Sequence, residues 1–237
     1  MRRPGFRLAR RRAGRAVRAL HPLKIADAVR RGFAFRRAMD EFERLPDAAE
    51  APEELLARLV HGWGNELMSA MPGYLDASLK ELRAARGDVL ECGSGLSTIL
   101  LGVLAGRTGK RIWSLEHDGR WARRMRAEIR RRDIRGVEIV HAPLRDYGAF
   151  SWYDPPLERL PARFSLVLCD GPPGDTPGGR YGMLPAMRGR LGGGCVILLD
   201  DLHRPAEREI AARWARELGG TCEVRGTGKP HAVIVAP

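Results

Sequence analysis

The second half of the chain alternates short apolar runs with longer segments whose apolar residues recur at helical spacing. The short runs predict buried β-strands, and most of the segments between them predict amphipathic helices. We predict strands at residues 89–92, 111–115, 137–141, 164–169, 195–199, 222–224 and 232–235, with helices such as 121–132 and 206–218. This alternation predicts a doubly wound α/β fold whose seven-stranded, mostly parallel sheet binds ligands at the carboxyl ends of its strands.

The last two predicted strands break this alternation. Only the turn Gly226-Thr227-Gly228 separates them, so no helix fits between them. Because short turns join antiparallel neighbours, we predict an antiparallel strand pair at the end of the sheet.

The first part of the chain has helical periodicity and no strand pattern. Apolar residues after Pro22, such as Ile25, Val29 and Phe33, predict one or two amphipathic helices. We interpret residues 45–52 as a linker, 53–60 and 74–85 as helices, and 61–65 as a short loop. The chain is therefore divided into an N-terminal arm with a helical extension, residues 1–52, and an α/β domain, residues 53–237.

The formal net charge of +12 is confined to the start of the chain. Residues 1–37 hold 13 Arg or Lys and one acid, whereas the remaining 200 residues hold 28 of each sign. Residues 2–18 have too little apolar surface to order alone. We expect residues 1–37 to be dispensable for folding and to contact a polyanion or an acidic surface. A solvated, Arg-rich extension is the alternative.

Several classes of protein are disfavoured by composition. No apolar run reaches the length of about 18 residues that predicts a transmembrane helix. The four cysteines are widely spaced with no C-x-x-C pair, which favours reduced thiols over disulfides or a zinc site. Arg throughout residues 1–20, and no Ser before Ser69, argue against signal and transit peptides. We therefore expect a cytoplasmic protein.

A glycine-rich turn follows the first predicted strand and is the most informative segment. Glu91-Cys92-Gly93-Ser94-Gly95 leads directly into a helix, and its glycines allow a ligand to approach the backbone. A dinucleotide fingerprint needs a third glycine where this chain has Thr98. Glu91 would repel a pyrophosphate but attract an ammonium or a sulfonium. Glu116 ends the second strand about 20 residues later, where a carboxylate accepts both ribose hydroxyls.

These features resemble the class I S-adenosylmethionine-dependent methyltransferases, which have a Rossmann-like fold, over residues 60–237. The blocks 63–65, 90–98, 114–118 and 169–174 resemble a bacterial subgroup of that family. The resemblance implies that residues 53–237 form a methyltransferase domain that binds S-adenosylmethionine. It places Glu91, Gly93, Ser94 and Gly95 around the methionine part of the cofactor, Glu116 on the ribose, and Ala142 and Pro143 beside adenine.

Three acids follow the fourth and fifth strands, where the acceptor and the methyl group are expected to meet. Asp170, Asp200 and Asp201 supply the oxygen ligands that Mg²⁺ prefers, and a bound Mg²⁺ would lower the pKa of a substrate hydroxyl. The arrangement is similar to metal-dependent catechol-type O-methyltransferases, although Asp201 stands where those enzymes have Asn. In the alternative, Asp200 or Asp201 caps the helix that begins near Pro205.

Further candidates surround this predicted site. Asp170 is also a candidate cofactor ligand and catalytic group, and His203 is the candidate base in a metal-free mechanism. Gly171 interrupts the Asp-Pro-Pro-aromatic motif of nucleobase methyltransferases and Gly174 replaces its aromatic residue, so no side chain there stacks a flipped base. Five residues are candidate pocket walls, with peripheral packing as the alternative: Trp63, Asn65, Trp152, Tyr153 and Tyr181.

Three functions are consistent with this sequence. The leading hypothesis is an enzyme that transfers a methyl group to a small molecule, at oxygen. The second is a methyltransferase acting on RNA or another polyanion that the basic arm guides. The third is a non-enzymatic, cofactor-binding fold whose arm docks on an acidic partner or membrane surface. The balanced charge of residues 38–237 favours the first.

Overall fold

A computed structural model of the protein describes residues 22–64 and 69–237. The predicted disorder of residues 2–18 and the pocket candidate Asn65 lie outside the described residues. The helices and strands, in chain order, are α1 (Pro22–Arg44), α2 (Glu53–Trp63), α3 (Pro72–Ala84), β1 (Val89–Cys92), α4 (Leu96–Thr108), β2 (Ile112–Glu116), α5 (Gly119–Arg131), β3 (Val137–His141), β4 (Leu144–Asp146), β5 (Ser151–Tyr153), β6 (Phe164–Cys169), α6 (Met183–Met187), β7 (Leu191–Leu199), α7 (Pro205–Leu218), β8 (Thr221–Arg225) and β9 (His231–Val235).

The main sheet has seven strands in the order β3-β2-β1-β6-β7-β9-β8. All neighbours are parallel except β9, which pairs antiparallel with both β7 and β8. The predicted doubly wound sheet and its closing antiparallel pair are therefore confirmed. The strand order reverses between β1 and β6, and ligands of such sheets bind in the crevice at this switch point.

Helices cover both faces of the sheet. One apolar cluster packs α1 to α5 on one face, and a second packs α6, α7 and the β4–β5 hairpin on the other. Neighbouring residues of β1 point into different clusters, Val89 into the first and Leu90 into the second. Burial on both faces explains why the parallel strands are continuous apolar runs in the sequence.

Helix α1 packs on α2 through its apolar side. Phe35, Met39 and Phe42 are buried in the cluster that also holds Leu55 and Leu59 of α2. The contact is close because Gly62 has no side chain: a Cβ there would lie 2.8 Å from the Cα of Phe35. The charge boundary at residue 37 thus falls inside a packed helix, and the expectation that residues 1–37 are dispensable is revised below.

Three local features differ from the predicted elements or add to them. The expected loop at 61–65 begins as the last turn of α2, which ends at Trp63 and is followed by Gly64 in the left-handed conformation with a φ of 78°. Trp152 and Tyr153 lie in β5, a strand that was not among those predicted and that pairs with β4 in a separate two-stranded sheet. The linker 45–52 joins α1 to α2 and contains a short 3₁₀ turn, Ala48–Glu50, with buried alanines.

The structure also describes the cysteines and the length and polarity of the helices. The four cysteines are free, and all except Cys222 are buried. Among the described helices, none is both long enough and apolar enough to cross a membrane.

Candidate active site

A cavity of about 340 Å³ opens at the carboxyl ends of β1, β2 and β6, beside the switch point. Its wall combines the glycine turn, the segments that follow β2 and β6, and the end of α2. The lining residues are Trp63, Ser69, Ala70, Gly93, Ser94, Gly95, Leu96, Ser97, Glu116, His117, Asp118, Trp121, Tyr153, Asp170, Gly171 and Pro173.

The glycine turn forms one wall because it brings backbone, not side chains, to the cavity. Gly93 has a φ of 94°, which favours glycine, and a Cβ there would lie 3.3 Å from the amide nitrogen of Gly171. Helix α4 begins immediately afterwards, at Leu96, so its first turn also faces the cavity. Gly93, Ser94 and Gly95 therefore lie where the sequence predicts a ligand to approach the backbone.

Glu91 lies behind this turn and does not line the cavity. Its carboxylate is buried and accepts hydrogen bonds from Ser97 Oγ and Thr98 Oγ1, each at 2.7 Å. Thr98 Oγ1 also accepts a hydrogen bond from the amide of Gly95 at 2.9 Å. Burial raises the pKa of Glu91, and the hydroxyl donors oppose that rise. Glu91 thus fixes the start of α4, and its direct contact with a cofactor stays a prediction.

Glu116 projects from the end of β2 into the cavity wall. Oε2 accepts hydrogen bonds from Ser94 Oγ at 2.6 Å and from the Ser94 amide at 3.3 Å. Oε1 accepts one from the Asp118 amide at 2.9 Å and lies 3.1 Å from His117 Nδ1. Burial alone raises the pKa of Glu116, but these donors outweigh it and hold the pKa below its ordinary value. An ionised acceptor therefore faces the cavity.

The sequence analysis did not single out His117 or Trp121, which also line the cavity. The pKa of His117 is raised chiefly by its hydrogen bond to Glu116. Trp121 Nε1 donates to the carbonyl oxygen of Ser94 at 2.9 Å, which ties α5 to the glycine turn. Its ring meets Trp63 edge-on, with ring centroids 6.4 Å apart. His117 directly follows β2 and Trp121 lies in the first turn of α5, and this position after the strand end was the available sequence signal.

Three carboxylates converge beside the cavity, as the sequence predicts. Asp170 follows β6, Asp200 and Asp201 follow β7, and one oxygen of each lies within 4.8 Å of the others. Asp200 and Asp201 are buried, whereas Asp170 is partly exposed and lines the cavity. Charges placed so close together away from water need positive partners.

Arg180 supplies the first of these partners. Its side chain is 2% exposed, and Nη2 donates to Asp170 Oδ1 at 3.0 Å and to Asp201 Oδ2 at 2.6 Å. Nη1 donates to the main-chain oxygen of Asp200 at 2.9 Å. The guanidinium therefore joins the carboxyl ends of β6 and β7.

Lys229 and Arg204 supply the remaining positive charges. Lys229 Nζ lies 3.0 Å from Asp200 Oδ2 and 2.9 Å from Asp201 Oδ1, and Arg204 Nη1 lies 2.9 Å from Asp201 Oδ2. Mg²⁺ requires a near-octahedral shell of oxygens. Here Asp170 Oδ1, Asp200 Oδ2 and both oxygens of Asp201 lie within 3.0 Å of cationic side chains, which would repel an added metal ion. Among the described residues, the buried Asp200 Oδ1 has no hydrogen-bond partner. The donor set in this arrangement does not fit Mg²⁺.

The helix-capping interpretation of Asp200 and Asp201 was wrong. Helix α7 begins at Pro205 with Arg204 as its N-cap, and no side chain caps it. Asp201 instead has a φ of 66°, a conformation that few residues other than glycine adopt. Both side chains instead form ion pairs with the cations of the cluster.

The two candidate catalytic residues have different surroundings. Asp170 lines the cavity, and burial raises its pKa to about 7 despite the opposing charge of Arg180. His203 lies outside the cavity wall, with Nδ1 3.9 Å from Asp201 Oδ1 and a side chain that is 44% exposed. The geometry favours Asp170 as the group that faces a bound ligand.

The remaining candidates divide between cavity and core. Trp63 and Tyr153 line the cavity, whereas Trp152 is fully buried in the apolar cluster. Tyr181 packs against α7, where its hydroxyl lies 2.6 Å from Arg213 Nη2. Core packing therefore accounts for Trp152, and peripheral packing for Tyr181. Ala142 and Pro143 follow β3 outside the cavity wall, and their contact with adenine stays a prediction.

Comparison with solved structures found several similar folds. A "putative caffeoyl-CoA O-methyltransferase" from Staphylococcus aureus covers 86% of this chain and all 100% of its own, with a TM-score of 0.59 at 10% identity. An SAH-bound methyltransferase from Podospora anserina covers 89% of this chain and 88% of its own, with a TM-score of 0.52 at 16% identity. Precorrin-6y C5,15-methyltransferase from Geobacter metallireducens covers 69% of this chain and 88% of its own, with a TM-score of 0.50 at 18% identity.

No protein-family model matches the sequence, and no curated protein matches it. At identities of 10% to 18%, the structural likeness shows the fold alone.

Proposed function

We propose that this chain, which has the fold of the class I S-adenosylmethionine-dependent methyltransferases, transfers a methyl group from S-adenosylmethionine to a small-molecule acceptor, at oxygen. The observation that carries the proposal is the ionised carboxylate of Glu116 in the cavity beside a turn with no side-chain obstruction at Gly93 and Gly95. An anion at this position suits neutral ribose hydroxyls and a positively charged sulfonium and disfavours a phosphate.

The present donors of Glu116 indicate how a ribose would bind. The amides of Ser94 and Asp118 are fixed by the backbone, whereas the Ser94 hydroxyl and the His117 ring are side chains that rotate away. A carboxylate has about four lone-pair sites. The two ribose hydroxyls would therefore replace Ser94 Oγ and His117 Nδ1, and the amides would continue to orient Glu116.

Asp170 is proposed to accept the proton of the acceptor hydroxyl. A bound S-adenosylmethionine would supply a methyl group on its sulfonium, so that the methyl carbon would bond to the acceptor oxygen while the sulfur kept the electrons of the broken C–S bond. Asp170 reaches the cavity from the end of β6, and Arg180 holds both its main-chain oxygen and Oδ1. General-base assistance requires a group fixed within hydrogen-bond reach of the acceptor and able to change protonation near neutral pH.

Calorimetry with S-adenosylhomocysteine tests the cofactor site. Glu116→Ala removes two charge-assisted hydrogen bonds to the ribose, each contributing about 1.5–3 kcal/mol, so affinity should fall at least about tenfold. Ser94→Ala removes only the hydroxyl that the ribose displaces, so it should bind as tightly as wild type. Glu138→Ala, which lies outside the cavity wall on β3, is the control for a general effect of losing a carboxylate.

If the folded wild-type protein does not bind S-adenosylhomocysteine, the proposal is refuted. If it does bind, the acceptor can be sought by turnover of labelled S-adenosylmethionine against a metabolite extract, with and without RNA. Methylation that appears only with RNA would favour the polyanion alternative. Cofactor binding without any turnover would favour the non-enzymatic one.

A further inference from the structure

We propose that Arg180 and Lys229 are a built-in cation pair that takes the place of a divalent metal ion among Asp170, Asp200 and Asp201. The inference concerns the acceptor end of the site proposed above, and it rests on that function only for its catalytic meaning. The ion cluster itself is a property of the folded chain.

Arg180 and Lys229 each bridge two of the three carboxylates. The three carboxylates come from the ends of adjacent parallel strands, and one oxygen of each lies within 4.8 Å of the others. Arg180 Nη2 bridges Asp170 and Asp201, and Lys229 Nζ bridges Asp200 and Asp201. Each carboxylate therefore has a cationic partner within 3.0 Å.

The charges of the cluster are close to balance. Four acids, Asp170, Asp200, Asp201 and Glu207, face the cations Arg180, Lys229 and Arg204, and Glu207 Oε1 lies 4.0 Å from Arg180 Nε. The cluster therefore carries one net negative charge when all seven groups are ionised, and burial raises the pKa of Glu207, which favours its neutral form. A divalent cation would exceed that charge and would be repelled by the cations already present. Removing one internal cation leaves an excess of negative charge and carboxylate oxygens that need a positive partner.

Lys229 comes from the C-terminal part of the chain. It lies in the connection between β8 and β9, so the closing antiparallel pair carries it back to the carboxyl ends of the parallel strands. Its side chain is 24% exposed, whereas that of Arg180 is 2% exposed. Lys229 is thus the member of the pair that substitution can remove without opening a large buried void.

Arg180 acts in this arrangement as a positioning residue for Asp170. It donates to the main-chain oxygen of Asp170 at 2.7 Å and to Oδ1 at 3.0 Å, and Asp170 is the only one of the three acids that lines the cavity. Because the guanidinium of Arg180 is part of the folded chain, it can orient the Asp170 carboxylate in every protein molecule, whether or not metal ions are present.

The experiment measures binding of Mn²⁺ alone to the full-length protein by the loss of the free-ion electron paramagnetic resonance signal. Wild type should leave the signal unchanged. Lys229→Ala should reduce it in proportion to protein concentration, because Asp200 and Asp201 lose a shared partner. The double variant Lys229→Ala/Asp200→Asn should restore the free signal. Lys80→Ala, which frees the exposed Asp76 from an ion pair on α3, should not bind.

Two results would overturn the inference: stoichiometric Mn²⁺ binding by wild type that Asp200→Asn abolishes, or no binding by a folded Lys229→Ala protein. Circular dichroism establishes that each variant is folded. Calorimetry with S-adenosylhomocysteine on the same samples keeps the two proposals separate. If wild type does not bind S-adenosylhomocysteine, the proposed function is refuted, but the Mn²⁺ result still tests the inference about the cation pair.

Discussion

Asp170 is the residue at which the cavity and the ion cluster meet. Its carboxyl group lines the cavity on one side and bonds Arg180 on the other. Burial raises its pKa to about 7, while the positive charges of Arg180 and Lys229 limit the rise. A carboxyl group in this range can both hold and release a proton near neutral pH.

At the residue scale, we therefore predict a pH-dependent rate that depends on Asp170. Only the ionised carboxylate accepts a proton, so the rate should fall as the pH drops through about 7 and level off above it. Asp170→Asn should lower kcat by about 10²–10⁴-fold and remove this dependence. Asp175→Asn, in the same loop but exposed, should keep the wild-type profile. A profile unchanged in Asp170→Asn would contradict the assignment of Asp170 as the base.

At the scale of elements, an aromatic chain links α1 to the cavity. The ring centroid of Phe35 lies 5.5 Å from that of Trp63, and Trp63 in turn meets Trp121, which bonds the glycine turn. Phe35 is buried, and Gly62 leaves room for it against α2. Helix α1 thus supports the wall of the cavity from behind.

Two phenylalanines on α1 provide a matched test of this link. Phe35→Ala should reduce the free energy of unfolding by about 3–5 kcal/mol, because it creates a cavity in the apolar cluster. Phe33, on the same helix, is 59% exposed, so Phe33→Ala should cost less than about 1 kcal/mol. Urea denaturation measures both. Calorimetry should show weaker S-adenosylhomocysteine binding for Phe35→Ala alone. Equal stability of the two variants would contradict the packing role of Phe35.

The elements that the sequence predicts well are those whose burial is continuous. Strand β1 and strand β6 lie between two helical layers, so each is a bounded apolar run, and both were predicted with their observed bounds. Strand β4 was missed because it has only three residues, all exposed, and only Leu144 among them is apolar. It is a strand because its backbone pairs antiparallel with β5 across a short connection, and it has no buried apolar face that would mark it in the sequence.

The candidate site likewise contains residues that could be predicted from the sequence and residues that could not. Gly93 and Glu116 were predicted because chain position alone places them at strand ends. Arg180 and Lys229 were not, because their partners lie 21 and 29 residues away along the chain and meet them only in the folded structure. Nothing in the sequence distinguishes these two among 41 basic residues. The convergence of three acids was therefore predictable, but the cations that balance them were not.

At the scale of the whole molecule, the distribution of charge does not follow the structural boundary. Residues 22–37 belong to α1 and include the buried Phe35, so a deletion through residue 37 would remove packing as well as charge. The charge sum of the rest of the chain also conceals a local excess. Helix α5 carries six arginines and one glutamate, and three of the arginines, Arg120, Arg123 and Arg124, are exposed close in sequence to Trp121, which lines the cavity.

A deletion of residues 1–21 ends where α1 begins, so it removes the basic charge of the arm and leaves the helix intact. This removes eight arginines and no acid, so the formal charge falls from +12 to +4. Affinity for S-adenosylhomocysteine and the free energy of unfolding should stay at wild-type values, because α1 and its packing on α2 remain. Association with single-stranded RNA should weaken, and its dependence on log salt concentration should flatten by about 0.7 for each phosphate that the shortened protein no longer neutralises. Fluorescence anisotropy across a salt series measures the slope. An unchanged slope after the deletion would place the polyanion-binding surface on the folded body, and Arg123→Glu/Arg124→Glu would then identify α5 as the surface responsible.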